Sequence, residues 1–132
     1  MDEGPALVSI LRQGSYLVAS VHTALDDTQM VRFRNDLIEA IGRHRARGVI
    51  IDVAALDVLD SFGTRTLRDI AEMARLRGAY TVIVGIQPDV AYAMVRLGMG
   101  TGAIPTALDL EEGLVYLDRR LDSAWGAGGV RT

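Results

Sequence analysis

The side chains that could carry covalent chemistry in this 132-residue chain are few. There is no cysteine, there are two histidines, and all fourteen basic residues are arginine. Thiolate chemistry, disulfides and cysteine metal sites are therefore out of reach. So are the roles of lysine as Schiff-base former, general base or phosphate-loop cation. A serine nucleophile needs a base held against it and a third group orienting that base. His22 ends an apolar run and His44 lies in an arginine-rich helical turn, so both read as ordinary surface or terminus residues. Two histidines so far apart also make a poor metal site. The expectation is a protein with no enzymatic activity, no cofactor and no metal.

Three stretches remain. Gly98-Met99-Gly100-Thr101-Gly102 has the composition of a phosphate loop, but it follows a helical pattern and leads toward a strand. A phosphate cradle needs the reverse order, so that backbone N–H groups at a helix start converge on the anion. Asp26, Asp27 and Asp52 invite comparison with a phospho-accepting receiver domain. Such receivers use a lysine that this chain lacks, and Asp26-Asp27 is better explained as a helix cap. The third stretch is Asp57-Val58-Leu59-Asp60-Ser61-Phe62-Gly63-Thr64. Asp60 or Ser61 would cap a helix well. Serine at such a position, just outside a strand end, is also placed to meet another protein, and Phe62 and Gly63 are odd choices for a pure cap.

The elements that must position these residues follow from hydrophobic periodicity. Val8 to Leu11 and Tyr16 to His22 read as a hairpin around Arg12-Gln13-Gly14-Ser15. Met30, Phe33, Leu37, Ile38 and Ile41 recur at helical spacing, with Gly48 as the expected C-terminal cap. Val49 to Val53 is a buried strand, and a second helix with inner face Leu67, Ile70, Ala71, Ala74 and Leu76 ends at Gly78. Tyr80 to Ile86 is another buried strand. Pro88 opens a third helix that closes at Gly98, and Ala103 to Ala107 forms a short last strand. Leu110, Leu114, Leu117 and Leu121 line a final amphipathic helix. The order is ββαβαβαβα, an α/β class with helices against a mixed sheet. One domain over residues 1–125 and a glycine-rich, disordered tail over 126–132 are expected.

The net charge of −3 and pI of about 5.3 argue against nucleic acid. No apolar run approaches the roughly 18–20 residues of a membrane span. The acidic start Met1-Asp2-Glu3 is unlike a signal peptide, which makes the cytoplasm the expected location.

The join from Val49 to Thr66 resembles the STAS domain, the fold of bacterial anti-sigma factor antagonists. In that family a partner kinase phosphorylates a serine or threonine at this place. Leu56 to Phe62, Gly85 to Ala91 and Thr106 to Leu114, together with the opening Val8-Ser9-Ile10-Leu11, look like the RsbS group, the small STAS subunits of the stressosome. The resemblance covers residues 7–121. Serine in place of the threonine usual in the larger RsbR-type partner, and the expected lack of a sensory domain in front, favour the small subunit.

The resemblance implies a STAS (SpoIIAA-like) fold with Ser61 as phosphoacceptor, and with Thr64 and Thr66 as alternatives one turn on. It implies that Asp57, Asp60, Ser61, Phe62 and Gly63 face partners. Those partners are an RsbT-like serine kinase, an RsbR-like STAS co-antagonist, a PP2C-type phosphatase and further copies of the chain. The implied function is a stressosome scaffold that holds the kinase and releases it when Ser61 is phosphorylated. Two other readings are a stand-alone anti-anti-sigma factor and a STAS module binding a small ligand near Asp26, Asp52 or Ser61.

Overall fold

The computed structural model describes residues 6–96 and 104–127, with side chains described as far as residue 122. The chain opens with β1 (Val8–Gln13) and β2 (Tyr16–Val21), paired antiparallel from Val8↔Val21 to Gln13↔Tyr16. β1 therefore runs two residues further than expected, β2 stops one short of His22, and the turn shrinks to Gly14-Ser15. Gly14 supplies φ 62 at the first central position, which suits a tight two-residue hairpin.

Helix α1 (Asp27–His44) begins with a capping box: the Asp26 carboxylate accepts from the Gln29 N–H, and the Gln29 side chain accepts from the Asp26 N–H. It ends at Arg45, which takes the left-handed conformation at φ 51. The expected cap at Gly48 is thus corrected. Gly48 is instead the first, buried residue of β3 (Gly48–Asp52). A Cβ there would lie 2.9 Å from Leu117 Cδ1 and 3.0 Å from Tyr16 Cδ1, so close packing and not chain reversal demands glycine.

Helix α2 (Ser61–Leu76) lays Leu67, Ile70 and Ala74 inward and stops at Arg77, with Gly78 beyond at φ 88. Leu76, expected on the inner face, is 88% exposed. Two residues past Ala74 is about 200° around a helix, which turns Leu76 to the opposite side. The chain continues through β4 (Tyr80–Val84), α3 (Pro88–Arg96), β5 (Thr106–Ala107) and α4 (Leu110–Ala127). The expected end of α3 at Gly98, the glycine stretch to Gly102 and Ala103 lie outside the described residues. Gly126 belongs to α4, and residues 128–132 of the expected tail are likewise outside.

The five strands form one sheet in the order β1-β2-β3-β4-β5, antiparallel at β1-β2 and parallel from there on. Alternate side chains of the central strands point to opposite faces and build two cores. Val49, Ile51 and Ile83 join Phe33, Leu37 and Ile41 of α1 and Leu67 and Ile70 of α2. Ile50, Val82 and Val84 turn the other way and meet Leu117 of α4. This sandwiching by helices is why β3 reads as an unbroken apolar run. No helix among the described residues is long and apolar enough to cross a membrane.

Candidate functional site

The parallel strands β3 and β4 end at the same side of the sheet, and the segment from β3 to α2 is fixed there by hydrogen bonds to its backbone. The Asp52 carboxylate accepts from the Ala54 N–H at 2.9 Å, and the Val53 N–H donates to the Val84 carbonyl at 3.0 Å. Gln87 reaches over from the loop after β4 and donates to the Ala54 carbonyl at 2.8 Å. Gly85, at φ 82, lets that loop approach: a Cβ there would sit 2.9 Å from the Ala54 Cβ. Leu56 is buried and anchors the segment, while Asp57 and Val58 face solvent, Val58 at 57% exposure.

The choice between Asp60 and Ser61 as cap is settled in favour of Asp60. Its backbone is extended and its carboxylate accepts from the Gly63 N–H at 2.8 Å. Ser61 is the first residue of α2 and is exposed, and the cap makes no use of its hydroxyl. Gly63 is buried, because a Cβ would meet Leu59 Cδ1 at 2.9 Å and the Asp60 carboxylate at 3.2 Å. Phe62 is half-buried and packs on the core formed by α1, α2 and the sheet. Of the residues expected to face partners, Asp57, Asp60 and Ser61 are exposed, whereas Phe62 and Gly63 shape the helix start from within.

Thr64 and Thr66 sit differently from Ser61. They are 1% and 3% exposed, and their hydroxyls donate to the carbonyls of Asp60 and Phe62 at 3.0 and 2.8 Å. Residue type could not distinguish them from Ser61, although a helical wheel places Thr64 and Leu67 on one face. Asp26 and Asp52 are likewise spent on backbone N–H groups, and Asp27 is in the first turn of α1. The His22 ring is 3.0 Å from the Ser9 hydroxyl across the hairpin, and His44 lies in the last turn of α1. Neither histidine is hydrogen-bonded to Ser61 among the described residues. The arrangement offers an exposed hydroxyl at a helix N-terminus, preceded in sequence by the exposed carboxylates of Asp57 and Asp60, a setting for modification and contact.

Comparison with known proteins agrees with this geometry. A family model for the STAS domain matches residues 8–113. A serine-to-glutamate variant of Moorella thermoacetica RsbS superposes with a TM-score of 0.77 at 33% identity, covering 89% of this chain and 99% of that one. A chain from a structure described as the molecular architecture of the stressosome matches with a TM-score of 0.69 at 32% identity, covering 86% of this chain and 98% of that one. Among curated proteins, the RsbT co-antagonist protein RsbRA of Bacillus subtilis is 28% identical over 90 residues. That match covers 68% of this chain but only 33% of RsbRA, so the chain spans about a third of the length of this relative. The fold expectation, a mixed five-stranded sheet with four helices, is thus met. By family model and structural likeness alike, the chain belongs to the STAS domain family of anti-sigma factor antagonists, close to RsbS.

Proposed function

We propose that the protein is a non-enzymatic regulatory subunit of stress signalling, a stressosome scaffold that holds an RsbT-like serine kinase and lets it go when Ser61 is phosphorylated. The observation that carries this reading is the division of labour at the start of α2. Asp60 does the capping, which leaves the exposed Ser61 hydroxyl free of any structural duty, while Thr64 and Thr66 are buried. The likeness to RsbS and to a stressosome chain supports assembly with an RsbR-like co-antagonist and with further copies of the same chain. A PP2C-type phosphatase would reset the state, and the cytoplasm is where such partners meet.

A phosphate on Ser61 adds roughly −1.5 to −2 charges. The N-terminus of α2 favours that charge by about 0.3–1 kcal/mol. Repulsion from the Asp60 carboxylate, at ~7 Å in water, costs about 0.6 kcal/mol per charge pair. The two effects nearly cancel, so phosphorylation leaves the domain folded. Under a docked partner the same dianion loses its hydration, and a buried polar group without compensation costs roughly 2–7 kcal/mol. Each 1.4 kcal/mol is about tenfold in affinity, which is ample to eject a kinase.

The test is reconstitution with the cognate kinase and RsbR-like subunit, followed by size-exclusion chromatography. The kinase co-elutes before ATP is added and separates after it, and with Ser61→Ala it stays bound. Kinase that never joins the complex, or that leaves equally well from the Ser61→Ala assembly, contradicts the proposal.

A further inference from the structure

At the far end of α2 from Ser61, a cleft of about 570 Å³ opens between the C-terminal half of α2, the start of β4 and α4. That size lies within the range of roughly 300–1,000 Å³ typical of small-molecule sites. Its charged lining consists of Arg68, Arg75 and Arg120 against the single acid Glu72. The cleft is thus locally cationic in a chain of net charge −3. Two of the guanidinium groups lie over one aromatic ring: Arg120 Cζ is 4.7 Å and Arg75 Cζ 5.5 Å from the centroid of Tyr80. The ring holds both forks in place at the cleft wall by cation–π attraction.

Thr81 follows Tyr80 in β4 and also lines the cleft. It is 6% exposed, and its Oγ1 is buried without a hydrogen-bond partner. It is the one such side-chain atom among the described residues. An orphan hydroxyl of this kind is uncommon in folded proteins, and this one is closed off from solvent behind the cleft wall. The apolar share of the lining includes Tyr116 and Leu76, whose side chain is 88% exposed. A leucine so exposed at the end of a helix gains cover only from something seated beside it.

We propose that this cleft binds a small anionic amphiphile: one carboxylate, sulfonate or phosphate group on a planar or elongated apolar body. Arg75 and Arg120 present the planar fork that suits such an oxyanion. The body lies along Tyr116 and Leu76, where it removes apolar surface from water. The lining holds no histidine, lysine or cysteine. The site is separate from the ligand positions near Asp26, Asp52 or Ser61 that the sequence suggests, and it does not depend on the phosphorylation of Ser61.

The experiment is a ¹H–¹⁵N correlation titration of the full chain with 8-anilinonaphthalene-1-sulfonate, paired with its uncharged analogue N-phenyl-1-naphthylamine. The sulfonate saturates, with the largest shifts at the amides of Arg75, Leu76, Thr81 and Arg120. It binds about tenfold or more tightly than the uncharged analogue, and Arg75→Gln with Arg120→Gln removes that advantage. Should the double variant fold poorly, Glu72→Gln makes the cleft more cationic and tightens sulfonate binding. Non-saturating or scattered shifts, equal affinity for the two probes, or sulfonate binding unmoved by these substitutions overturns the proposal.

Discussion

Ser61 and Asp60 are adjacent and chemically close to interchangeable as helix caps, yet they have separate jobs. The carboxylate of Asp60 holds the Gly63 N–H, and the Ser61 hydroxyl is left facing solvent. Replacing Asp60 with alanine removes the cap and lowers stability by about 1 kcal/mol, a drop of a few degrees in Tm. Ser61→Ala changes stability by less than about 0.5 kcal/mol, as a surface substitution does. Thermal unfolding of the two variants side by side checks both values. The sequence put the right residue types at this place but could not rank the two. The ranking comes from Gly63, whose missing Cβ lets Leu59 and the Asp60 carboxylate close over the first turn. In the same way, Ser61, Thr64 and Thr66 are all hydroxyl residues near one helix start, and only packing separates them. Thr64→Val and Thr66→Val proteins that remain folded should take up phosphate as the unmodified protein does, measured by intact mass.

The elements are held to each other where glycine and tyrosine permit it. Gly85 combines φ 82 with a close approach to Ala54, so Gly85→Ala adds backbone strain to a steric clash. The expected loss is about 1–3 kcal/mol in denaturant unfolding, with faster amide exchange in the segment 54–60 that Gln87 and Gly85 pin down. At the other end of the sheet, the Tyr16 hydroxyl donates to the Asp118 carboxylate of α4 at 2.5 Å. Burial first, then that hydrogen bond and the negative charges of Asp118 and Asp122, push the Tyr16 phenol well above its ordinary pKa. Because the fold favours the neutral phenol, this contribution is intact below the unfolded pKa of about 10 and is lost as pH climbs beyond it. Stability measured from pH 9 to 12 should therefore fall less steeply for Tyr16→Phe than for the unmodified protein. Helix and strand identities were readable from apolar spacing, since both periods are strong in this chain. Element ends were less so: Gly48 looks like a helix cap by residue type, and only the approach of Leu117 and Tyr16 shows why glycine stands at the start of β3.

The whole molecule is a sheet clad by helices on both faces, and this architecture explains how a surface charge can act without remodelling the fold. Ser61 lies outside both cores, at the rim where the parallel strands end. Leu117, by contrast, is fully buried between α4 and the strands β3 and β4. Leu117→Ala should cost about 2–5 kcal/mol, whereas Ser61→Asp should leave the unfolding midpoint nearly unchanged. The alternation of β and α stretches made the class legible from sequence, and the likeness of three ordered stretches to one family made the fold legible too. The exposed apolar Leu76 and the cationic cleft beside it were not legible, because they arise where α2, β4 and α4 meet. The central claim, that Ser61 is the switch, is tested most directly by incubating the protein with its cognate RsbT-like kinase and ATP and mapping the product by peptide mass. The account predicts one phosphate on Ser61, absent from the Ser61→Ala protein. An active kinase that leaves folded protein unmodified, or places the phosphate elsewhere, would contradict it and reduce Ser61 to an ordinary first residue of a helix.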